Sequence, residues 1–358
     1  MTNPLDAEDL RARVQRALDD HLGLQAGRLD EVSPDLAPLM GQITDLVRGG
    51  KRLRPAFCYW AWRGTGAPDG DRIVAAAASL ELFQAAALLH DDVMDGSDTR
   101  RGQPATHRRM AALHDANGWA GDGDRFGTAA AILAGDLCLS WSDEMFHRSG
   151  LPDDALARGR QVFELMRTDL MAGQFLDVLE QALPEAAGGG SAERARRVIR
   201  FKSAKYTIEH PMLIGGALAG AMPELLASYS AYGLALGEAF QLRDDVLGVF
   251  GDPTQTGKPA GDDLREGKRT VLVALALQGA SAQQAAVVRR HLGDPRLDAE
   301  AVATLREVIV ATGALAAVEQ LVDDLVAQAR EALAASDVAE PARSVLAALV
   351  QAATERLA

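Results

Sequence analysis

The amino-acid sequence predicts an all-α fold, and three observations carry that prediction. Hydrophobic residues make up 48% of the 358 residues but aromatic residues only 5%, and Ala- and Leu-rich stretches outnumber the β-branched runs typical of strands. Helical periodicity of the apolar residues begins at Leu10 and continues to the C-terminal end. None of the turn-rich breaks in this pattern resembles a flexible domain linker. The sequence therefore predicts one all-α domain spanning 1–358.

Four turn-rich segments divide the periodic pattern into helices: 64–70, 117–127, 184–191 and 251–267. Between the first two, the apolar run LELFQAAALLH ends in clustered aspartates. A second apolar run, GEAFQLRDDVLGVFGD, likewise contains a glutamine and carries paired aspartates. Helix bundles build sites from side chains on facing helices, so we expect both helices to present their acids to one cavity.

Charge and composition exclude several classes of partner. The formal net charge is -13, with 50 acidic against 37 basic residues, which argues against binding nucleic acid through bulk electrostatics. The two cysteines are too few for a disulfide framework, and the first residues lack the apolar core of a signal peptide. No uninterrupted apolar run reaches the roughly 20 residues of a transmembrane helix. We therefore expect a soluble cytoplasmic protein.

The first acidic cluster, HDDVMD, has the spacing of a metal site. On a helix, Asp91 and Asp95 lie on one face about 6 Å apart along the axis, while Asp92 points roughly 100° away. Carboxylates this close repel one another unless positive charge lies between them. Hard oxygen ligands without His or Cys suit Mg²⁺, which usually completes its shell with water and substrate phosphate. The pattern therefore predicts a magnesium site that binds a diphosphate.

The alternative for this cluster is a solvated helix end without function. Acids at a helix C-terminus are, however, at the unfavourable end of the helix dipole. A second cluster, Asp244 and Asp245, follows Gln241 and precedes a loop containing further lysines and acids. Two such clusters on separate helices favour the metal site over the solvated end.

Basic residues complete the pattern. In GGKRLRP, residues 49–55, Lys51, Arg52 and Arg54 stand beside glycines that allow close approach of the backbone to an anion. A lone basic cluster is usually a solvated surface. Together with the Arg100–Arg101 pair, Lys202 and two acidic clusters, it instead indicates a site for anionic substrates.

Seven motifs together resemble the trans-isoprenyl diphosphate synthases, also called polyprenyl synthetases. They occur in the family's order between about 49 and 270: GGKRLRP, HDDVMD, RRGQP, GQFLD, FKSAKYT, FQLRDD and GKPAGDDLREGKRT. The resemblance implies antiparallel helices around a deep central cavity, and a homodimer.

The resemblance also implies a reaction. An allylic diphosphate (dimethylallyl, geranyl or farnesyl) ionises, and isopentenyl diphosphate attacks the resulting carbocation head to tail. Ionisation requires positive charge on the leaving diphosphate, which two or three Mg²⁺ together with lysines and arginines would supply. The departing diphosphate is the expected proton acceptor.

Residue roles follow from the matching motif positions. The metal ligands would be Asp91, Asp95 and Asp244, with Asp92 as a supporting acid and Asp245 beside Asp244. Contacts to the allylic diphosphate would be Arg100, Lys202 and Lys258. The isopentenyl diphosphate pocket would contain Lys51, Arg54 and Arg101. Polar residues lining the reaction zone would be Gln174, Asp177 and Gln241. Lys268 would contact substrate or close the loop.

Three positions depart from the family pattern. Ser203 stands where threonine is common; it keeps the hydroxyl, so little effect is expected. Gln84 stands where many members have a histidine for isopentenyl diphosphate; it can hydrogen-bond phosphate but carries no charge. Gly248 replaces the final aspartate of the second motif, which questions full occupancy of a third metal site.

The helix before the first motif predicts product length. Ala86 and Ala87 are too small to stop a growing chain, and the next large residue, Phe83, lies about 12 Å along the helix from Asp91. An isoprene unit spans about 4 to 5 Å, so about three units fit above Phe83. Geranylgeranyl diphosphate is the expected product; farnesyl or longer polyprenyl diphosphates are the alternatives, as Phe83 could merely pack against a neighbouring helix.

Two other functions share part of this pattern. A class I terpene cyclase also ionises a diphosphate with Mg²⁺, but it does not need the pocket formed by GGKRLRP and Arg101. A non-catalytic synthase-like subunit commonly lacks an acidic motif, whereas the first motif is intact here and only Gly248 departs from the second.

Overall fold

A computed structural model describes residues 8–184, 190–251, 261–294 and 296–354. The all-α prediction is confirmed: the chain is 80% helical and forms a single domain. The sixteen α-helices of the described residues are α1 Leu10–Val32, α2 Ala37–Val47, α3 Leu53–Gly64, α4 Asp71–Met94, α5 Thr106–Ala116, α6 Gly123–His147, α7 Asp153–Ala182, α8 Ala192–Val198, α9 His210–Ala219, α10 Pro223–Phe250, α11 Asp262–Arg265, α12 Val271–Gly279, α13 Ala282–His291, α14 Ala299–Ala311, α15 Ala314–Ala334 and α16 Ala342–Thr354.

Four further elements complete the secondary structure of the described residues. A 3₁₀ turn, Pro34–Leu36, joins α1 to α2, and a π-helix, Ile199–Glu209, continues α8 directly into α9. The strands β1, Thr99–Arg100, and β2, Gln103–Pro104, form an antiparallel hairpin after α4. This hairpin turns the chain back toward the end of α4, where the first acidic motif lies.

Two long helices, α4 and α10, organise the core. Helix α4 packs against α1, α3 and α6, and its alanines at 76–78 and 85–86 are buried. Helix α10 packs against α15 and the π-helix. Small side chains allow helix axes to approach closely, and burying apolar area supplies the main favourable term in folding. The C-terminal ends of both helices carry the acidic motifs.

Helix caps explain where two predicted turns end. Helix α6 begins at Gly123, inside the turn predicted over 117–127, because the Asp122 side chain accepts a hydrogen bond from the backbone N–H of Arg125. Such N-caps start helices at short polar residues. Within the turn predicted over 251–267, residues 262–265 form α11. The intervening residues 252–260, which include Lys258, and residues 185–189 lie outside the described residues.

The π-helix lies between α7 and α10 at very close range. A Cβ atom added at Gly173 on α7 would lie 2.5 Å from the backbone nitrogen of Lys202, and one added at Gly237 on α10 would lie 2.7 Å from the backbone oxygen of Ala204. Only glycine leaves room for such contacts between backbones. π-Helical turns are rare and frequently occur at functional sites. Here the packing brings Lys202 to the side chains of α4 and α7.

Among the described helices, α4 alone is long and apolar enough to cross a bilayer by itself. Helices α14 and α15, which are bent relative to each other, would give a second candidate only if the two were counted as one broken span. However, 72% of the apolar window of α4 is buried inside the protein. Core helices commonly pass this test of length and composition, and α4 packs as a core helix.

Candidate active site

A cavity of about 970 Å³ opens between α4, α7, the π-helix and α10. Its volume is at the upper end of the range typical of ligand sites. The predicted site residues that line it are Lys51, Arg54, Gln84, Ala87, Asp91, Arg100, Gln174, Asp177, Lys202, Gln241, Asp244, Asp245 and Lys268. The structure therefore brings both acidic motifs and the basic motifs into one space.

Asp91 is the most strongly paired carboxylate of the site. It accepts hydrogen bonds from Gln174 Nε2 at 2.9 Å and Lys202 Nζ at 3.2 Å, and its other oxygen lies 3.4 Å from Arg100 Nη2. Burial alone would raise the pKa of Asp91, but the charges of Lys202 and Arg100 outweigh it and hold the pKa below its ordinary value. Asp91 therefore stays ionised and is held in place from three sides.

The other two aspartates of the first motif differ in environment. Asp92 is buried and accepts a hydrogen bond from Arg100 Nε at 2.8 Å, so it orients the guanidinium at the cavity wall. Asp95 stands at the end of α4, where burial and the neighbouring charge of Asp91 raise its pKa to about 6. At Asp95, burial and the charge of Asp91 outweigh the charges of Lys202 and Lys268, which act to lower the pKa.

Lys202 links the π-helix to two elements. Its ammonium group lies 2.6 Å from Asp177 on α7 and 3.2 Å from Asp91 on α4. Both carboxylates raise the pKa of Lys202 above its ordinary value against the effect of burial. The lysine is therefore a fixed positive charge at the mouth of the first motif, where an anionic ligand would meet it.

The second motif lies on α10. Asp244 is exposed toward the cavity, whereas Asp245 is buried and accepts a hydrogen bond from Gln241 Nε2 at 2.9 Å. Burial, together with the charges of Asp263 and Asp244, raises the pKa of Asp245 well above its ordinary value. Lys268 is paired with Asp263 at 3.3 Å and Glu266 at 2.6 Å. The two acids of the motif thus differ in environment: Asp244 is exposed in the cavity, whereas Asp245 is buried at its wall and hydrogen-bonded within α10.

The three basic residues of GGKRLRP separate into two groups. Lys51 and Arg54 line the cavity. Arg52 instead points inward: it is 4% exposed, has a left-handed backbone conformation with φ 55°, and pairs with Glu81 at 2.5 Å. It also donates to Val47 O. Arg52 therefore fixes the basic loop, residues 49–52, which carries Lys51 and leads into the first turn of α3, where Arg54 lies.

Tyr206 is a cavity residue to which the sequence assigned no role. Its hydroxyl donates to Gln84 Oε1 at 2.5 Å, and the Arg54 guanidinium lies 4.1 Å from its ring centroid. Arg54 also donates to Thr207 Oγ1 at 3.0 Å. Tyr206 follows Lys202 by four residues in the motif FKSAKYT. This spacing is the sequence feature that could have indicated a site residue at 206. The tyrosine joins Gln84 to Arg54, so the Gln84 position belongs to the same polar network as the basic loop.

Five of the predicted residues that the structure describes do not line the cavity. Asp92 and Asp95 adjoin it as described, and Arg101 lies beside the basic loop, where it donates to Leu46 O at 3.3 Å. Ala86 and Phe83 are buried in the layer behind the wall; the Phe83 ring is 5.6 Å from Tyr206 and 6.2 Å from Phe163. Lys258 lies outside the described residues.

The donors available for a metal are carboxylate oxygens on two helices. Among the described residues, no three His, Cys, Asp or Glu side chains are close enough to hold a metal ion by themselves. Hard divalent cations such as Mg²⁺ accept few protein ligands and complete their shell with water and ligand phosphate. Asp91, Asp95 and Asp244 fit that mode of binding.

The family model described as polyprenyl synthetase matches residues 37–309. The chain belongs to the polyprenyl synthetase family. The recognition from motifs is confirmed, and so is the prediction of an enzyme: the chain is a prenyltransferase, as isoprenyl diphosphate synthases are.

Individual relatives agree in fold but differ in named product. The chain is 32% identical to geranylfarnesyl diphosphate synthase of Aeropyrum pernix, over 84% of this chain and 88% of that protein. It is also 32% identical to octaprenyl diphosphate synthase of Escherichia coli, over 78% and 81%. The crystal structure of geranylgeranyl pyrophosphate synthase from Corynebacterium glutamicum, complexed with isoprenyl diphosphate and magnesium, is 41% identical with a TM-score of 0.92, covering 97% of this chain and 98% of that one. These relatives support prenyl chain elongation without determining the chain length.

Proposed function

We propose that this prenyltransferase condenses isopentenyl diphosphate with an allylic diphosphate in an Mg²⁺-dependent reaction, with geranylgeranyl diphosphate as the main product. One observation carries the proposal: a single cavity is lined by both acidic motifs and by two groups of cations. Lys202 and Arg100 lie beside Asp91, and Lys51 and Arg54 lie on the basic loop and the first turn of α3. Two cation groups suit two diphosphates. A cyclase, which takes one diphosphate, has no use for the second group.

Bond changes in this reaction balance without any further reactant. The C–O bond of the allylic diphosphate breaks and its electron pair leaves with the diphosphate. The double bond of isopentenyl diphosphate then forms the new C–C bond to the cation, and the departing diphosphate accepts the proton that is lost. Two or three Mg²⁺ ions, when bound, would neutralise charge on the leaving diphosphate.

The chain's own residues would hold and orient the two substrates. Asp91, Asp95 and Asp244 would hold the metal ions, and Lys202 and Arg100 would donate to the allylic diphosphate from fixed positions. Fixed donors aimed at developing charge usually supply the largest single term in catalysis. Lys51 and Arg54 would bind isopentenyl diphosphate. Gln84 would belong to the same pocket, because Tyr206 donates a hydrogen bond to Gln84 and its ring lies against the Arg54 guanidinium.

Product analysis tests this proposal. Purified protein would be incubated with isopentenyl diphosphate, Mg²⁺ and, in turn, dimethylallyl, geranyl and farnesyl diphosphate. We expect geranylgeranyl diphosphate from each. A main product of another length would contradict the assignment of product length alone, whereas no elongated product from any of the three would contradict the function.

Phe83 is proposed to set the floor of the chain-elongation space from behind the cavity wall, where it supports Tyr206. Ala87 lines the cavity and is too small to block it, while Phe83 lies one turn further along α4 behind Tyr206. We expect Phe83→Ala to shift the product toward longer chains, because removing the ring opens space below the third isoprene unit. Chain-length analysis measures the shift.

The control for this variant is its stability. Phe83 packs against Phe163, so its loss would cost roughly 3 to 5 kcal/mol of folding free energy. Thermal melting therefore identifies the temperature at which the variant is folded. An unchanged product distribution from folded Phe83→Ala would remove Phe83 as the floor.

We also propose a cytoplasmic homodimer. Several large apolar side chains are exposed on α6 and α7: Ile132, Leu133, Met171, Phe175 and Val178. Exposed apolar surface on consecutive helices supports an interface with a second copy. Sedimentation equilibrium should give twice the mass of the 37.9 kDa chain, and a monomer at micromolar concentration would contradict the dimer.

A further inference from the structure

The basic loop, residues 49–52, has an unusual backbone conformation. Gly49, Gly50 and Arg52 all have positive φ angles, of 72°, 93° and 55°. Glycine adopts such angles without steric cost, but for an arginine the left-handed conformation is unfavourable. A residue keeps an unfavourable conformation only where the surrounding structure holds it there, and such residues cluster at functional sites. The conformation of the loop therefore depends on the contacts that surround Arg52.

Three oxygen atoms from three different helices surround the Arg52 guanidinium. Nη1 donates to Glu81 Oε2 on α4, and Nη2 donates both to Val47 O at the end of α2 and to Gln15 Oε1 on α1, each at 2.5 Å. The planar guanidinium can serve several acceptors in a fixed geometry. One buried side chain thus ties the loop to α1, α2 and α4.

Gln15 holds the loop at a second point. Its Oε1 atom also accepts a hydrogen bond from the backbone N–H of Gly49 at 3.3 Å. Its Nε2 atom donates to Asp19 Oδ1, one turn further along α1, at 2.8 Å. This second bond fits the orientation of the amide, because only its oxygen can accept from Arg52 and Gly49. A single side chain on α1 therefore contacts both ends of the basic loop.

Lys51 lies between these two anchored ends and lines the cavity. Gln15 does not line it, so this glutamine can act on a ligand in the cavity only through the loop. When only a fraction of the molecules holds a site in its binding conformation, the affinity of the site falls in proportion to that fraction. Loosening the loop would therefore weaken a ligand of Lys51 while Lys51 itself stays unchanged.

We propose that Gln15 is a positioning residue for isopentenyl diphosphate: through Arg52 and Gly49, it holds the basic loop in the conformation in which Lys51 meets this substrate. The inference rests on the proposed function. It gives the N-terminal helix α1 a role in the affinity for one of the two substrates. The cations proposed for the allylic diphosphate, Lys202 and Arg100, lie on the π-helix and on β1, so that substrate does not depend on Gln15.

Three variants of the full chain test the role of Gln15. Gln15→Leu removes the acceptor at similar size, and Gln15→Glu is the conservative variant that keeps an acceptor oxygen. Gln320→Leu is the matched control, because Gln320 on α15 is exposed and its Nε2 donates to Asp324 with the same four-residue spacing, at 2.9 Å. Each variant is titrated calorimetrically with isopentenyl diphosphate and melted thermally, and kcat and the KM of both substrates are measured.

We expect Gln15→Leu to raise both the Kd and the KM of isopentenyl diphosphate by about fivefold or more, because the loop then leaves its binding conformation in most molecules. The KM of the allylic diphosphate and kcat at saturation should stay within about twofold of wild type, since Lys51 still reaches its position once substrate is bound. Gln15→Glu and Gln320→Leu should bind isopentenyl diphosphate about as tightly as wild type.

Three results would overturn the inference alone: wild-type affinity for isopentenyl diphosphate in Gln15→Leu, an equal loss in Gln15→Glu, or a parallel rise in the KM of both substrates. The last would show that Gln15 only stabilises the fold. Should Gln15→Leu fail to fold, Gln15→Ala takes its place and decides in the same way. Failure of the wild-type protein to bind isopentenyl diphosphate would instead overturn the proposed function, and this inference with it.

Discussion

Replacing Asp91 with alanine is expected to lower turnover by at least about three orders of magnitude while the fold is retained. Asp91 lies where Gln174, Lys202 and Arg100 converge, and it is a proposed ligand of the metal that neutralises the leaving diphosphate. Removing one group that stabilises developing charge typically costs a factor of about 10² to 10³, and the loss of a metal ligand adds to that. Steady-state kinetics at saturating Mg²⁺ measures the loss.

Asp154→Ala is the matched control for this substitution. Asp154 is an exposed aspartate of α7 whose side chain pairs with Arg158 on the surface at 2.8 Å. We expect wild-type turnover from the control and no turnover from wild type in excess chelator. An Asp91→Ala enzyme within tenfold of wild type, or full activity in chelator, would contradict the metal-dependent mechanism.

The second large effect is expected from Lys202→Ala. Lys202 Nζ is held between Asp177 and Asp91, so its charge is fixed where the allylic diphosphate would ionise. We expect kcat to fall by a factor of about 10² to 10³, because this interaction strengthens as charge develops on the leaving group. Binding of isopentenyl diphosphate, measured by titration, should change little.

Lys51→Ala is the comparison that separates the two pockets. Lys51 lines the cavity from the basic loop, and its loss should weaken isopentenyl diphosphate binding while the allylic substrate binds as in wild type. The assignment of the pockets fails if Lys51→Ala binds isopentenyl diphosphate normally, or if Lys202→Ala and Lys51→Ala have the same pattern of defects.

Helical periodicity was sufficient to predict the all-α fold and the convergence of the acidic motifs. The i and i+4 spacing of Asp91 and Asp95 needs only helix geometry, and both motifs end long apolar helices. Local chemistry of that kind can be read from a sequence. Contacts between distant segments cannot, and they account for what the sequence did not predict.

Three such contacts matter at the site. Arg52 looks like its basic neighbours in sequence, but its positive φ turns it inward to Glu81, 29 residues away. Phe83 shares a face with Ala87, yet Tyr206 from the π-helix lies against its ring. The π-helix does not follow the α-helical period of 3.6 residues per turn, so apolar periodicity does not reveal it. It also depends on the close approach of α7 and α10 at Gly173 and Gly237.

The most direct measurement of the central claim compares two reactions of the purified protein with farnesyl diphosphate and Mg²⁺, one with isopentenyl diphosphate and one without. The proposed function predicts that farnesyl diphosphate is consumed only when isopentenyl diphosphate is present, with one diphosphate released for each isopentenyl diphosphate used and a product one isoprene unit longer. Formation of a hydrocarbon or alcohol from farnesyl diphosphate alone, or no consumption in either reaction, would contradict it.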